Sequence, residues 1–334
     1  MLTAQGAATT VGPGPFQRIT DAVLEATIIG SFSRVGFAVR SKLLPEFTAD
    51  PARCAAGRVI VITGATSGLG LATAAELARR RGAIHFLARD RARAEKTQRQ
   101  IIAATGNSSV TYGIADMTDL CSVRQFASRF MAEHDRLDVL IHNAGAMHGS
   151  YQVNGAGIEL TYAGQVVGPF ALTTMLLPAL LAAAPARVIV VSSGGMYAQP
   201  LFRSTSAMSA DGYRGATAYA RAKRAQVALN AEWARRFPAG DIAFHATHPG
   251  WADTPGIGAS LPRFRRLLRP LLRSPEQGSD TTAWLATAGA AQLTSGLFWH
   301  DRRPRRQYLV GHPDLSDEAM ARGLWNELEA QMHE

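Results

Sequence analysis

The feature that most restricts this chain is a short β-branched run, Arg58 to Ile62, that passes directly into Thr63-Gly64-Ala65-Thr66-Ser67-Gly68-Leu69-Gly70 and then into an alanine-rich helical stretch, Leu71 to Arg81. A strand that turns on glycines into a helix lets backbone N–H groups approach a pyrophosphate seated on the helix's positive end. The spacing here is G-x-x-x-G-x-G, which departs from the commoner G-x-G-x-x-G but serves the same physics. Taken alone, such a turn can also be a plain strand-to-helix connection. The unit then recurs. Short apolar runs at Ile84 to Ala88, Val110 to Ile114, Leu137 to Ile141, Arg187 to Val191 and Ile242 to Ala246 alternate with helical patterns. One of these helices carries Leu120, Val123, Phe126, Phe130 and Met131 at helical steps, with Thr118 as its expected cap. Strands without a polar face, separated by helices, predict a parallel sheet of right-handed βαβ units: an α/β, doubly wound, Rossmann-type fold.

At 334 residues, 47% hydrophobic and 18% charged, the chain has room for one such domain and an N-terminal extension. We divide it into a loose tail (1–20), an amphipathic helical extension and linker (21–55) and the main domain (56–334). In the extension, Leu24, Ile28, Phe32, Val35, Val39 and Leu43 recur at helical steps, weakly interrupted by Gly30 and Gly36, and Pro45 and Pro51 punctuate the linker. That stripe is expected to dock on the main domain; a membrane surface is the alternative, since Arg34, Arg40 and Lys42 would suit anionic head groups. Two cysteines, Cys54 and Cys121, and the absence of any metal-ligand spacing predict no disulfide framework and no metal site. An excess of 35 Lys+Arg over 26 Asp+Glu gives a formal charge of +9, suited to anionic cofactors, lipid head groups or nucleic acid. No nucleic-acid-binding motif accompanies the charge, so that partner is not expected. The lack of an uninterrupted apolar run of about 18 residues, and of a secretory signal, predicts a cytoplasmic location.

Tyr219-Ala220-Arg221-Ala222-Lys223 places a phenol and an ammonium one helical turn apart on one face. An ordinary surface pair is the bland alternative, and it weakens with the glycine turn upstream. Asn143-Ala144-Gly145, Ser192-Ser193 and Pro249-Gly250-Trp251-Ala252-Asp253-Thr254 all fall at carboxyl ends of predicted strands, where ligands bind in such sheets.

With these motifs the chain resembles the short-chain dehydrogenase/reductase family from about Gly57 to about His312. For one branch of that family the resemblance extends through Ser192-Ser193-Gly194-Gly195-Met196, His248-Pro249-Gly250-Trp251-Ala252-Asp253-Thr254-Pro255-Gly256, Ser295-Gly296-Leu297-Phe298 and Asp301-Arg302-Arg303-Pro304. The resemblance implies that Tyr219 is the catalytic acid/base, that Lys223 lowers its pKa and binds the nicotinamide ribose, and that Ser193, the last of its pair, hydrogen-bonds the reacting oxygen. The chemistry agrees, because a phenol of reference pKa near 10 needs a neighbouring positive charge to ionise. Gly64, Ser67, Gly68, Leu69, Gly70, Asn143 and Thr254 are implied cofactor contacts, and Asp116 is expected near the adenine. One departure is Gln165 in Gln165-Val166-Val167-Gly168-Pro169-Phe170, where the family usually has an Asn that holds a water in the proton relay to the lysine.

After the second strand, Arg89 and Asp90 offer both signs of charge to the adenosine ribose. Asp90 lies at the distance expected of an acid that accepts the 2′-hydroxyl of NAD. In relatives that acid stands at the strand's end, which is Ala88 here, whereas Arg89 resembles the 2′-phosphate clamp of NADP enzymes. NADP(H) is therefore the expected cofactor, with NAD(H) possible. Apolar residues expected at the substrate walls, Met147, Met196, Trp251, Ile257, Leu261 and Phe264, point to a small lipophilic carbonyl or alcohol. Arg263, Arg265, Arg266, Arg269 and Arg273 among leucines read as a solvated basic face, a lid or a membrane-surface segment, broken by Pro270. The expected protein is an NADP(H)-dependent oxidoreductase, forming a homo-oligomer; a catalytically weak dinucleotide-binding regulatory module of the same fold is the alternative.

Overall fold

The computed structural model describes residues 14–48, 54–201, 210–289, 294–308 and 315–333. Eight strands, β1 (Val59–Thr63), β2 (Ala83–Ala88), β3 (Val110–Ile114), β4 (Val139–His142), β5 (Ala186–Val191), β6 (Ile242–Thr247), β7 (Leu297–His300) and β8 (Arg303–Pro304), form one sheet in the order β3-β2-β1-β4-β5-β6-β7-β8. Every pairing is parallel except the last, β7 with β8. The first six strands lie within two residues of the expected runs, and the doubly wound fold stands as expected.

Two helical layers cover the sheet because its central strands have no polar face to give to water. On one side, α5 (Gly68–Arg79), α6 (Arg91–Thr105) and α13 (Pro275–Thr287) pack Leu77, Ile101 and Trp284 into one core. On the other, α7 (Leu120–Glu133), α9 (Gly168–Ala182), α10 (Gly215–Arg236) and α14 (Leu315–His333) pack Phe126, Leu176, Trp233 and Trp325 into a second. The cap of α7 is Asp119, whose carboxylate accepts from the Cys121 N–H, rather than Thr118. Strand order reverses direction between β1 and β4, and the carboxyl ends there open the crevice in which such sheets bind ligands.

The extension differs from expectation. It is three helices, α1 (Pro15–Glu25), α2 (Ile28–Phe32) and α3 (Arg34–Leu43), followed by a short turn, α4 (Pro45–Thr48). Of the expected tail, residues 1–13 lie outside the described residues, while helix begins at Pro15, whose fixed φ suits a first helical turn. Two breaks divide the rest, each where a hydroxyl can restart a helix: Thr27 Oγ1 accepts from the Gly30 N–H and Ser33 Oγ from the Gly36 N–H. Gly36 permits the tight packing of α2 on α3, since a Cβ there would lie 1.8 Å from the Gly30 carbonyl oxygen.

The extension docks on the main domain mainly through its polar side. Arg40, fully buried, pairs with Asp21 at 2.8 Å, Glu25 at 2.9 Å and Asp301 at 2.9 Å. Arg303 and Arg305 reach back to Asp21 at 2.6 and 2.8 Å, and Arg273 meets Asp301 at 2.6 Å. The expected apolar stripe docks only at Phe32, whose ring packs edge-on to His248 and His300; Ile28 and Val35 are exposed, and Leu24, Val39 and Leu43 are only partly covered. Asp301 and Arg302 form the two-residue link between β7 and β8, both in the left-handed region with φ of 50° and 58°. Such a turn normally asks for Asn-Gly or Asp-Gly. Here charge holds it: Asp301 sits between Arg40 and Arg273, and Arg302 is clamped by both oxygens of Asp280 at 2.9 and 2.7 Å.

Candidate active site

The glycine turn lies where β1 gives way to α5. Gly64 has φ of +68°, and a Cβ on it would stand 2.7 Å from the Ala144 Cα, so only glycine lets the β1 and β4 loops come this close. Asn143 ties the loops together: its Nδ2 donates to the carbonyls of Thr63 and Gly64 at 3.1 and 3.0 Å. Helix α5 starts at Gly68 with no cap bond from the side chain of its N-cap residue, Ser67, and such uncapped N–H groups suit an anion.

A cavity of about 840 Å³ opens over this turn. Gly64, Ser67, Gly68 and Leu69 line it, as do Arg89, Asp116, Asn143, Ser193, Tyr219, Lys223 and Thr254, so the structure brings together all but one of the expected site residues. Gly70 is the exception. It is buried behind the turn, where a Cβ would come within 2.4 Å of the Gly64 carbonyl oxygen, so it shapes the loop without facing the cavity.

Tyr219 and Lys223, one turn apart on α10, face the end of β5, with the ammonium 5.4 Å from the centre of the phenol ring. Burial pushes the Tyr219 phenol up to about 12, against a hydrogen bond from Ser193 that pulls it down. Burial alone brings the Lys223 ammonium down to about 7. The two serines divide their work. Ser192 turns its hydroxyl to the Lys223 carbonyl at 3.1 Å, while Ser193 faces Tyr219.

Lys223 Nζ donates to the Val191 carbonyl at 2.8 Å and to Gln226 Oε1 at 3.1 Å. Gln226 Nε2 donates in turn to the Gln165 carbonyl at 2.6 Å. The carboxamide of Gln226 therefore spans from the lysine to the backbone of residue 165. Gln226 was not singled out from the sequence; its only signal is its position three residues after Lys223, on the same helical face. Gln165 lies in a π-helical turn, Ala163–Val167, between α8 (Leu160–Tyr162) and α9, and its Nε2 donates to the Ala146 carbonyl at 2.8 Å. Its Oε1 is buried against the cavity with no hydrogen-bond partner among the described residues. A buried acceptor left open beside an ammonium suits a hydroxyl-bearing ligand. Below them, burial and the Lys223 charge hold His142 at about 3, so its ring is neutral.

At the adenosine end, Asp90 spends its carboxylate as the cap of α6, accepting from the Arg93 N–H at 2.7 Å, whereas Arg89 stands exposed at the cavity edge. Asp116 lines the cavity while its carboxylate also braces the turn after β3, accepting from the Thr118 N–H and hydroxyl, both at 2.9 Å. Thr254 caps α11 (Pro255–Ser260) through the Ile257 N–H at 3.3 Å. Of the expected substrate walls, Met147, Ile257 and Leu261 line the cavity. Met196 is buried in a core behind it, and Trp251 packs between Phe32 and Phe264. Arg273 leaves the expected basic face altogether: it is buried, and its Nε donates to the Phe32 carbonyl at 3.1 Å.

The short chain dehydrogenase family model matches residues 58–261. The chain is 42% identical over 254 residues to bovine dehydrogenase/reductase SDR family member 12, covering 76% of this chain and 79% of that one. It is 32% identical over 287 residues to mouse retinol dehydrogenase 14, covering 81% and 84%. A crystal structure of a short chain dehydrogenase from Escherichia coli CFT073, complexed with NADPH, superposes with a TM-score of 0.63 at 21% identity over 76% of this chain and all of that one, a likeness of fold. The cytoplasmic location expected from the sequence does not stand. Retinol dehydrogenases are among the relatives, and Leu160–Ala182 is long and apolar enough to cross a membrane, although 67% of its apolar window is buried inside the fold. The expectation failed because the lack of an uninterrupted apolar run excludes neither an apolar helix with scattered small polar residues nor attachment at a membrane surface. A glycine turn at the reversal of a parallel sheet and a match across more than half its length place the chain in the short-chain dehydrogenase/reductase family, whose members are NAD(P)-dependent oxidoreductases.

Proposed function

We propose that the protein transfers a hydride between NADP(H) and a lipophilic carbonyl or alcohol. The observation that carries this reading is the convergence of the Tyr219 phenol, the Ser193 hydroxyl and the Lys223 ammonium in one cavity that the glycine turn also lines. The turn and the uncapped N–H groups of α5 would hold the pyrophosphate, Arg89 a 2′-phosphate, and Lys223 with Gln165 Oε1 the ribose hydroxyls. When bound, the nicotinamide supplies or accepts the hydride. As the substrate carbon gains hydride, Tyr219 gives its phenolic proton to the substrate oxygen, and Ser193 donates a hydrogen bond to that oxygen. Lys223 stabilises the phenolate left behind through its charge. With the phenol at about 12, Tyr219 is protonated at neutral pH and so is set for reduction. Met147, Ile257 and Leu261 supply an apolar mouth, and the retinol dehydrogenase relatives support a lipophilic substrate.

The test is NADPH consumption over a panel of lipophilic aldehydes and ketones. Tyr219→Phe is expected to lower turnover about 10²- to 10⁴-fold while leaving NADPH affinity nearly unchanged. Retention of more than about a tenth of the rate would remove Tyr219 from the acid/base role. Arg89→Ala is expected to weaken NADPH about tenfold and NADH little, because one charge-assisted contact to phosphate is lost; equal weakening of both would place the 2′-phosphate elsewhere. Tight NADPH binding without turnover on any member of the panel would favour the regulatory-module reading, which the Gln226 carboxamide, closing the space between Lys223 and residue 165, makes physically reasonable.

A further inference from the structure

The extension presents its polarity the wrong way round for a helix docked on a globular domain. On α1, Gln17 and Asp21 face inward and Glu25 stands at the edge of the junction: Gln17 Nε2 donates to the Leu43 carbonyl at 2.6 Å, and the two acids pair with Arg40. On the opposite side Phe16, Ile19 and Val23, spaced three and four residues apart, are 69%, 64% and 63% exposed. Ile28 and Ile29 on α2 and Val35 on α3 are likewise more than half exposed. The orientation is fixed, because the ion pairs of Arg40 and Asp21 with Asp301, Arg303 and Arg305 tie the other side to the main domain.

Charge follows the same division. All three acids of the described extension, Asp21, Glu25 and Glu46, are paired with junction arginines. Arg34 and Lys42 are exposed. A surface that shows large apolar side chains and cations, with its acids already neutralised by arginines, complements an anionic lipid bilayer. It would suit a second copy of the chain poorly, since two-fold pairing would bring like charges together. The same character continues past the extension. Phe32 packs edge-on to Trp251 at 6.1 Å and Trp251 to Phe264 at 5.5 Å, where α12 (Pro262–Leu268) exposes Leu267 at 79% beside Arg263 and Arg266.

We infer that the outward side of α1–α3 is a lipid-docking surface that seats the enzyme on anionic membranes by insertion of Phe16, Ile19, Val23, Ile28, Ile29 and Val35 into the interface. The docking does not depend on the catalytic reading, since it is read by binding alone.

The experiment is flotation of the purified full chain with vesicles of phosphatidylcholine alone and of phosphatidylcholine with about one third phosphatidylserine. The wild type is expected to float with the anionic vesicles and to be released by salt in part. Phe16→Asp/Ile19→Asp/Val23→Asp is expected to lower partitioning at least about tenfold, with an unchanged melting temperature because those side chains point away from the protein. A second variant, Arg34→Glu/Lys42→Glu, should lose the preference for phosphatidylserine while remaining folded. The inference is overturned if the wild type does not float, if both variants float as the wild type does, or if the wild type is a dimer that the triple variant turns into a monomer, which would make a second copy the true cover.

Discussion

Two of the cations buried among the described residues are held by opposite means. Lys223 is 2% exposed and donates to two neutral oxygens, the Val191 carbonyl and the Gln226 carboxamide. Arg40 is 1% exposed and meets three carboxylates. Neutral acceptors satisfy the ammonium's hydrogen bonds without repaying its lost hydration, so its charge is adjustable near neutral pH. Carboxylates fix the guanidinium's charge and orientation together. A reacting site needs the first arrangement and a joint between chain segments needs the second.

The joint is where this contrast can be broken most severely. Asp301 is fully buried, and although burial works against its ionisation, His300, Arg273 and Arg40 hold its carboxyl far below the usual range. Asp301→Ala would leave Arg40 and Arg273 buried near one another without their shared partner. We expect a loss of about 3–5 kcal/mol in urea unfolding. A loss below about 1 kcal/mol would show that the extension is held by packing and that the carboxylate is incidental.

Acid should loosen the same joint by a smaller amount. Burial raises the Asp21 carboxyl, but hydrogen bonds and charge from Arg305 and Arg40 outweigh it and bring the group down to about 2. A carboxyl held lower in the folded state stabilises it above its unfolded pKa and loses that contribution as the pH falls through the folded one. Stability on the order of 2 kcal/mol should therefore disappear between about pH 4 and pH 2. Asp21→Asn should flatten that part of the pH–stability curve, and an unchanged slope would assign the acid sensitivity to other carboxyls.

The contrast also explains what could be read in the sequence. Strands β1, β4, β5 and β6 were legible because strands buried on both faces must be mostly apolar, and the glycine turn because Gly64 has no room for a Cβ. Tyr219 and Lys223 were legible because their spacing is a helical turn. Strand β7 was not: its four residues, Leu297–His300, end in a charged turn rather than a glycine. The polarity of the extension was hidden for a longer-range reason. An apolar stripe is read as the buried side, and what reverses it here is Asp301, 261 residues after Arg40 and with no local mark of their pairing. Gln226 was missed because an amide on a long helix carries no signal until the helix is known to turn that side to Lys223.

The mildest prediction probes the adjustable cation itself. Gln226 Oε1 accepts one of the Lys223 N–H bonds, so its removal in Gln226→Leu disfavours the ammonium and should move the lysine below about 7. Gln226→Glu puts a carboxylate in the same place and should move it above. On the proposed mechanism the charged lysine stabilises the phenolate formed during reduction, so the reductive rate falls as the pH rises through the lysine's pKa. The descending limb of kcat/KM against pH should therefore shift down by about one unit in the leucine variant and up by a comparable amount in the glutamate variant, each unit worth about 1.4 kcal/mol. A residue that merely packs would lower the rate at every pH and leave the limb in place. Opposite displacements in the two variants are the result that purely structural damage cannot imitate, and limbs that coincide with wild type would mean that the ammonium is governed by its burial and the Val191 carbonyl alone.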